Sequence, residues 1–148
     1  MNPTELQAYV RQFFVERVGL RSDDLVVLGV SGGVDSMTLA HASVRLAQET
    51  RIRFCIAHFD HGLRANSDMD ARFVQQYARD NFVQFLTERS DVGVYASSNN
   101  LGIEEAAREL RYRFLLKVKN EMGGRFVAVA HNRDDQAETV LMRLMRGA

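Results

Sequence analysis

The residues Ser31-Gly32-Gly33-Val34-Asp35-Ser36 put two hydroxyls, two glycines and a carboxylate within six positions. The run Leu25–Val30 before them is rich in Val and Leu and reads as a buried strand. Met37, Leu39, Ala40, Ala42 and Ser43 after them carry helical spacing. A strand, a glycine turn and a helix N-terminus together form a cradle for phosphate. The first N–H groups of a helix lack partners, and the helix dipole favours anions there. Glycines let the backbone approach the anion without a Cβ in the way. Ser31 and Ser36 add hydroxyl donors, and Asp35 is positioned to hold a Mg²⁺ bridging phosphates. The loop lacks the lysine of a Walker A sequence and the spacing of GxGxxG.

Three further groups could meet this loop. His131 ends an apolar run and is followed by Asn132, Arg133, Asp134, Asp135 and Glu138. On a helix the three carboxylates would share one turn, able to hold Mg²⁺ or an ammonium group or simply to satisfy the helix dipole. His58-Phe59-Asp60-His61-Gly62-Leu63-Arg64 follows a second strand-like run. Its His-x-x-His pair falls short of a tetrahedral zinc set, so nucleotide contacts or plain loop structure are the expectation. Gly102–Phe114 opens a long helix whose buried stripe is Ile103, Ala106, Ala107, Leu110 and Phe114. Glu104, Arg108 and Arg111 share another of its faces, where the arginines suit phosphate oxygens or a solvated ion-pair ladder. His41, mid-helix, reads as structural, and Lys117 and Lys119 as surface residues.

The elements that must position these groups alternate. A helix over 4–19, with Thr4 and Gln7 as a capping box, precedes strand 25–30 and a helix to about residue 50. Strand 52–58, helix 67–81, strand 82–87, a polar loop 90–100 and helix 103–122 follow. Gly123-Gly124 stops that helix, strand 125–130 comes next, and a last helix is expected from Asp134. Strands alternating with helices predict a doubly wound α/β fold, a parallel sheet covered by helices on both faces. Open sheets of this kind bind ligands at the carboxyl ends of their strands, where all four groups fall. The abrupt end at Ala148 predicts a truncated sheet, with further strands or domains missing.

With 148 residues the chain has one domain's worth of core. Its 19 basic residues balance 19 acidic ones, so any contact with RNA is local or lies outside this chain. The lone Cys55 sits in a strand-like run and reads as a core thiol in a reducing compartment. No signal peptide or membrane-length apolar run is present, so a cytoplasmic domain is expected.

SGGVDS at 31–36 resembles the PP-loop of ATP pyrophosphatases, which cleave ATP between the α- and β-phosphates. Together with HFDHGLR (58–64), GIEEAARELRYRF (102–114) and AHNRDDQAETVLMRLMRG (130–147), it resembles the tRNA(Ile)-lysidine synthase family from about residue 25 onward. Thiolating relatives carry paired cysteines, which this chain lacks. The resemblance implies an N-terminal PP-loop catalytic domain, adenine nucleotide alpha hydrolase-like in fold, over residues 1–148 and lacking its tRNA-binding C-terminal domains. It implies ATP and Mg²⁺ as cofactors, with L-lysine, a CAU-anticodon tRNA(Ile) and a second copy in a homodimer as partners. By motif, Ser31, Gly32, Gly33, Val34, Asp35 and Ser36 would bind ATP, with Asp35 on the metal. His131 and Arg108, or Arg111, would steady the α-phosphate. Asp135 and Glu138, with Asp134, would recognise the ammonium of lysine or free its amine. Two other readings share the loop: a PP-loop ligase for a small molecule, and a non-catalytic ATP-binding fragment.

Overall fold

The structure is a computed structural model that describes residues 2–63, 67–133 and 136–145. Helix α1 (Pro3–Arg11) starts from a capping box made by Asn2 and Glu5, just ahead of the expected Thr4–Gln7 pair. The reason is the position of Pro3: its missing N–H is harmless in the first turn, which leaves Asn2 as the cap. A π-helical turn, Gln12–Arg17, continues α1 and buries Phe14. Next come β1 (Leu25–Gly29), α2 (Val34–Glu49), β2 (Arg53–Asp60), α3 (Ser67–Asp80) and β3 (Gln84–Arg89). A short helix, α4 (Val92–Ser98), occupies the expected polar loop, capped by Asp91 accepting from Val94 N–H at 3.0 Å. Helix α5 (Ile103–Met122) stops at Gly123, as expected, and leads to β4 (Phe126–Arg133) and β5 (Gln136–Met145).

The sheet order is β3-β2-β1-β4-β5. The first four strands are parallel, in the doubly wound arrangement the alternation predicts. The last departs from expectation. Residues 136–145 form not a helix but a strand antiparallel to β4, with a register irregularity at Asn132/Arg133. The pairing supplies partners for the edge of β4, whose N–H and C=O groups would otherwise stay open on that side. A tertiary demand of this kind overrides local periodicity.

Two apolar layers follow from the period of two along each strand. Val26, Leu28, Phe54, Ile56, Phe126 and Ala128 point to one face, where α1, α2 and α3 cover them. Leu25, Val27, Cys55, Ala57, Val127 and Val129 point to the other, against Phe114, Leu115 and Val118 of α5. β1 is therefore buried on both faces, which is why its sequence reads as an unbroken apolar run. Cys55 lies in the α5 layer, and burial pushes its thiol up to about 11, as befits an inert core residue. Among the described residues no helix is long and apolar enough to cross a membrane.

Gly29, the last residue of β1, marks the tightest approach. A Cβ there would stand 2.8 Å from Val129 Cγ1 and 3.0 Å from Leu115 Cδ1, both on buried residues. Gly29→Ala is expected to lower stability by about 1–3 kcal/mol through overpacking, measured by urea unfolding. An unchanged midpoint would show that α5 moves aside freely.

Candidate functional site

Because β2 and β3 lie on one side of β1 and β4 on the other, the sheet order reverses beside β1. Crossover connections leave that point in opposite directions and open a crevice at the carboxyl ends. Its volume is about 260 Å³, with Gly29, Val30, Ala57 and Val129 at its base. The start of α2, the end of β2 and the first turns of α5 form its walls.

On the α2 side, the chain leaves β1 and turns through Ser31-Gly32-Gly33. Gly32 has φ +97°, a conformation side chains rarely adopt, and Gly33 is the N-cap of α2. Ser36 Oγ ties the loop together: it donates to Gly33 C=O at 3.0 Å and accepts from the N–H groups of Ser31 and Gly32, both at 3.2 Å. Ser31 Oγ lies 3.1 Å from Ser36 Oγ and accepts from Gly33 N–H at 3.3 Å. Since the Ser36 proton is engaged, the Ser31 hydroxyl is the donor between the two. The first intrahelical bond is Met37 N–H to Gly33 C=O at 3.0 Å, so the N–H groups of Val34, Asp35 and Ser36 have no helical partner. Asp35 is half-buried in this first turn, and Val34 is exposed. The six residues singled out by sequence thus form one turn that leads into the N-terminus of α2, where the helix dipole favours an anion.

The end of β2 forms a second wall. His58 is buried, and its Nδ1 lies 2.8 Å from Val30 C=O. Asp60, also buried, was not singled out by its motif, yet it organises this corner. Its Oδ1 accepts from Gly62 N–H at 3.0 Å, and Arg89 Nε stands 3.9 Å from Oδ2. Burial, the largest influence on this carboxyl, pushes its pKa up. The Gly62 N–H, the Ser67 hydroxyl, Arg89 and His58 together outweigh burial and hold it below the ordinary carboxylate value. The sequence itself shows only an Asp between two histidines at a strand end. His61 lines the crevice, and its Nδ1 accepts from Leu63 N–H at 3.0 Å. Among the described residues no three His, Cys, Asp or Glu side chains cluster to hold a metal.

The third wall is α5. Arg111 and Tyr112 line the crevice, whereas Arg108 stands one turn closer to the helix start, outside that lining. Both guanidinium groups lie over the Tyr112 ring, Arg108 at 5.6 Å and Arg111 at 5.3 Å from its centroid. Glu104 and Arg108 do not pair in the expected ladder; instead Glu109 accepts from Tyr95 at 2.8 Å and from Arg113 at 3.2 Å. Lys117 is exposed and pairs with Glu88 at 3.4 Å, and His41 is exposed with Nδ1 3.4 Å from the Tyr77 hydroxyl. Asp70 of α3 was not foreseen as a lining residue. The backbone of His131 lies in β4 and that of Glu138 in β5, so Glu138 does not sit on a helical turn. Asp134 and Asp135 lie outside the described residues, as does Arg64.

A parallel sheet that reverses order beside a strand–SGGVDS–helix cradle defines a nucleotide-binding α/β protein of the PP-loop type. The chain belongs to the PP-loop domain family, whose sequence profile matches residues 2–148. It is 45% identical over 140 residues to the tRNA(Ile)-lysidine synthase of Geobacter sulfurreducens, an alignment covering 94% of this chain and 30% of that protein. The tRNA(Ile)-lysidine synthase of Thermus thermophilus is 44% identical over 128 residues, 86% of this chain and 24% of the relative. The chain thus spans about 30% or less of the length of these relatives. Among solved structures, a U34-tRNA thiolase from Methanococcus maripaludis superposes with a TM-score of 0.75 at 16% identity, over 87% of this chain and 45% of the other. An NH3-dependent NAD synthetase from Campylobacter jejuni gives 0.65 at 17%, over 86% and 56% of the two chains. At such identities the likeness is one of fold.

Asp60 has a folded-state pKa below its unfolded one, so its ionised form stabilises the fold. That contribution is fully present above the ordinary carboxyl value of about 3.9 and is lost as pH falls through the depressed folded value. Asp60→Asn is expected to cost about 1–3 kcal/mol at pH 7, with the gap to the parent closing on acidification. Urea unfolding between neutral and acidic pH measures it; a gap constant with pH would remove the carboxylate from this role.

Proposed function

We propose that the chain is the nucleotide-activating part of an enzyme that joins L-lysine to C2 of the wobble cytidine in a CAU-anticodon tRNA(Ile), giving lysidine, AMP and pyrophosphate. The observation that carries this reading is the 45% identity to a protein named tRNA(Ile)-lysidine synthase, running over 94% of the chain. The crevice supports it with the strand-to-helix turn on one wall and Arg111 of α5 on another.

The chemistry needs two displacements. The C2 carbonyl oxygen of the cytidine bonds to the α-phosphorus as the bond to the bridging oxygen breaks, and pyrophosphate leaves. A deprotonated amine of lysine then bonds to C2, the C2–O bond breaks, and AMP leaves. An unactivated carbonyl oxygen is not a leaving group, so binding and charge stabilisation at phosphorus are the main tasks of the protein. Ser31 to Ser36 bind the phosphates through the N–H groups of Val34, Asp35 and Ser36, while the two hydroxyls hold the loop in shape. Asp35 fits Mg²⁺: it is a half-buried hard oxygen ligand in the first turn of α2, and one carboxylate with phosphate oxygens and water suits that ion. When bound, the ion neutralises charge on the phosphates. Arg111, on the crevice wall, is the better sited arginine for the α-phosphate, with Arg108 sharing its Tyr112 support. His131 is assigned the same phosphate. Asp135 and Glu138, with Asp134, are assigned to the lysine ammonium and to the proton its amine must lose.

The test is a product analysis with Mg-ATP, lysine and the CAU-anticodon tRNA. AMP that forms only with the tRNA, with lysine retained on the RNA, is the expected result. AMP without tRNA would point to a small-molecule ligase, and ATP binding without AMP to a non-catalytic module. Asp35→Ala is expected to abolish Mg-ATP binding in titration calorimetry while shifting stability by no more than about 0.5 kcal/mol. Glu138→Gln is expected to spare ATP binding and impair lysine-dependent release of AMP. Equal loss of both would refute the assigned division of labour.

A further inference from the structure

The peptide unit joining Val30 to Ser31 is where the buried strand hands over to the phosphate loop. Val30 is 2% exposed, so its C=O requires a partner within the protein. Its N–H still donates to Ala57 C=O at 3.0 Å, in continuation of the β1–β2 ladder. Its C=O instead meets a side chain, Nδ1 of His58 at 2.8 Å. A carbonyl can only accept, so Nδ1 carries the proton. At the other end of the same peptide unit, Ser31 N–H donates to Ser36 Oγ at 3.2 Å. One planar unit is thus held at both ends, by an imidazole below and a hydroxyl above. His58 is itself anchored: it lies in β2 between two parallel partners, and its C=O accepts from the Thr87 hydroxyl at 2.8 Å.

We propose that His58 is a positioning residue for the phosphate loop. Together with Ser36 it fixes the rotation of the Val30–Ser31 peptide and so the direction in which the following N–H groups point. This inference rests on the reading of residues 31–36 as a nucleotide phosphate site. It gives the second strand's histidine a task in nucleotide binding that needs no contact with the nucleotide.

Two substitutions separate this role from simple packing. In His58→Asn the side-chain amide nitrogen falls close to where Nδ1 was and keeps a donor for Val30, whereas His58→Leu removes it. The expected result is a loss of Mg-ATP affinity of about tenfold or more in His58→Leu and recovery of most of it in His58→Asn. Amide exchange, followed by NMR, should speed up at Ser31 and Gly32 in His58→Leu while α5 amides keep the parent's rates. The imidazole ¹⁵N shifts of the parent should report a protonated Nδ1. Parent-like affinity in His58→Leu would overturn the proposal, as would an asparagine variant as weak as the leucine one. If the parent itself binds no Mg-ATP, the nucleotide reading fails instead, and positioning is then judged on loop exchange alone. Unchanged exchange in His58→Leu would overturn it there too.

Discussion

β1 is paired on both sides by parallel strands and covered on both faces by helices. Its first four residues are buried, so each N–H and C=O there must find its partner inside the sheet. The constraint becomes acute where the chain leaves the ladder, because a loop inherits backbone groups that the strand no longer satisfies. That exit is also where the proposed phosphate site begins. Side chains take over the hydrogen bonding there: His58 at the strand end, then Ser31 and Ser36 within the turn. The donors for a ligand begin only after those internal needs are met, at Val34 and beyond.

The same logic of supply and demand organises the end of β2. Asp60 is an acceptor-only group in a buried position, and its surroundings are a set of donors drawn from the following turn, from α3 and from β3. Three elements are fastened to one carboxylate, which holds the His61 corner at the crevice wall. A neutral chain overall thus contains two strongly polarised corners, one gathering N–H groups and one gathering an anion with its donors.

Most of the fold was legible because β1 and β2 are buried on both faces and show it as apolar runs, and because α5 carries an apolar stripe before Gly123, buried at Ala106 and Phe114 although Ile103 at its start is exposed. The placement of residues 31–36 between a strand and a helix was legible for the same reason. What local pattern could not reveal were features set by distant partners. Asn2 rather than Thr4 caps α1 because of where Pro3 falls, and α4 forms inside a polar stretch because Val92 and Ala96 have Ala106 to pack against. Residues 136–145 carry apolar spacing compatible with a helix, and only the open edge of β4 turns them into a strand. Within the site, Asp60 escaped notice because its burial and its approach to Arg89 of β3 are set by strand pairing. Arg108 and Arg111 sit three residues apart, and the path of α5 past the crevice, rather than their chemistry, separates them.

For the proposed phosphate site, the serine knot of the loop bears on release as much as on binding. A cradle whose N–H groups stood bare would grip any anion and release it slowly, because departure would strand dry donors. Here the hydroxyls of Ser31 and Ser36 already occupy the loop's own N–H groups at Ser31, Gly32 and Gly33. An incoming anion that draws on those groups must displace internal bonds, and a leaving one finds them ready to re-form. The net gain on binding is therefore moderated, and the barrier to letting go is lowered. Such a loop suits a site that must be emptied and refilled in every cycle better than one built for storage.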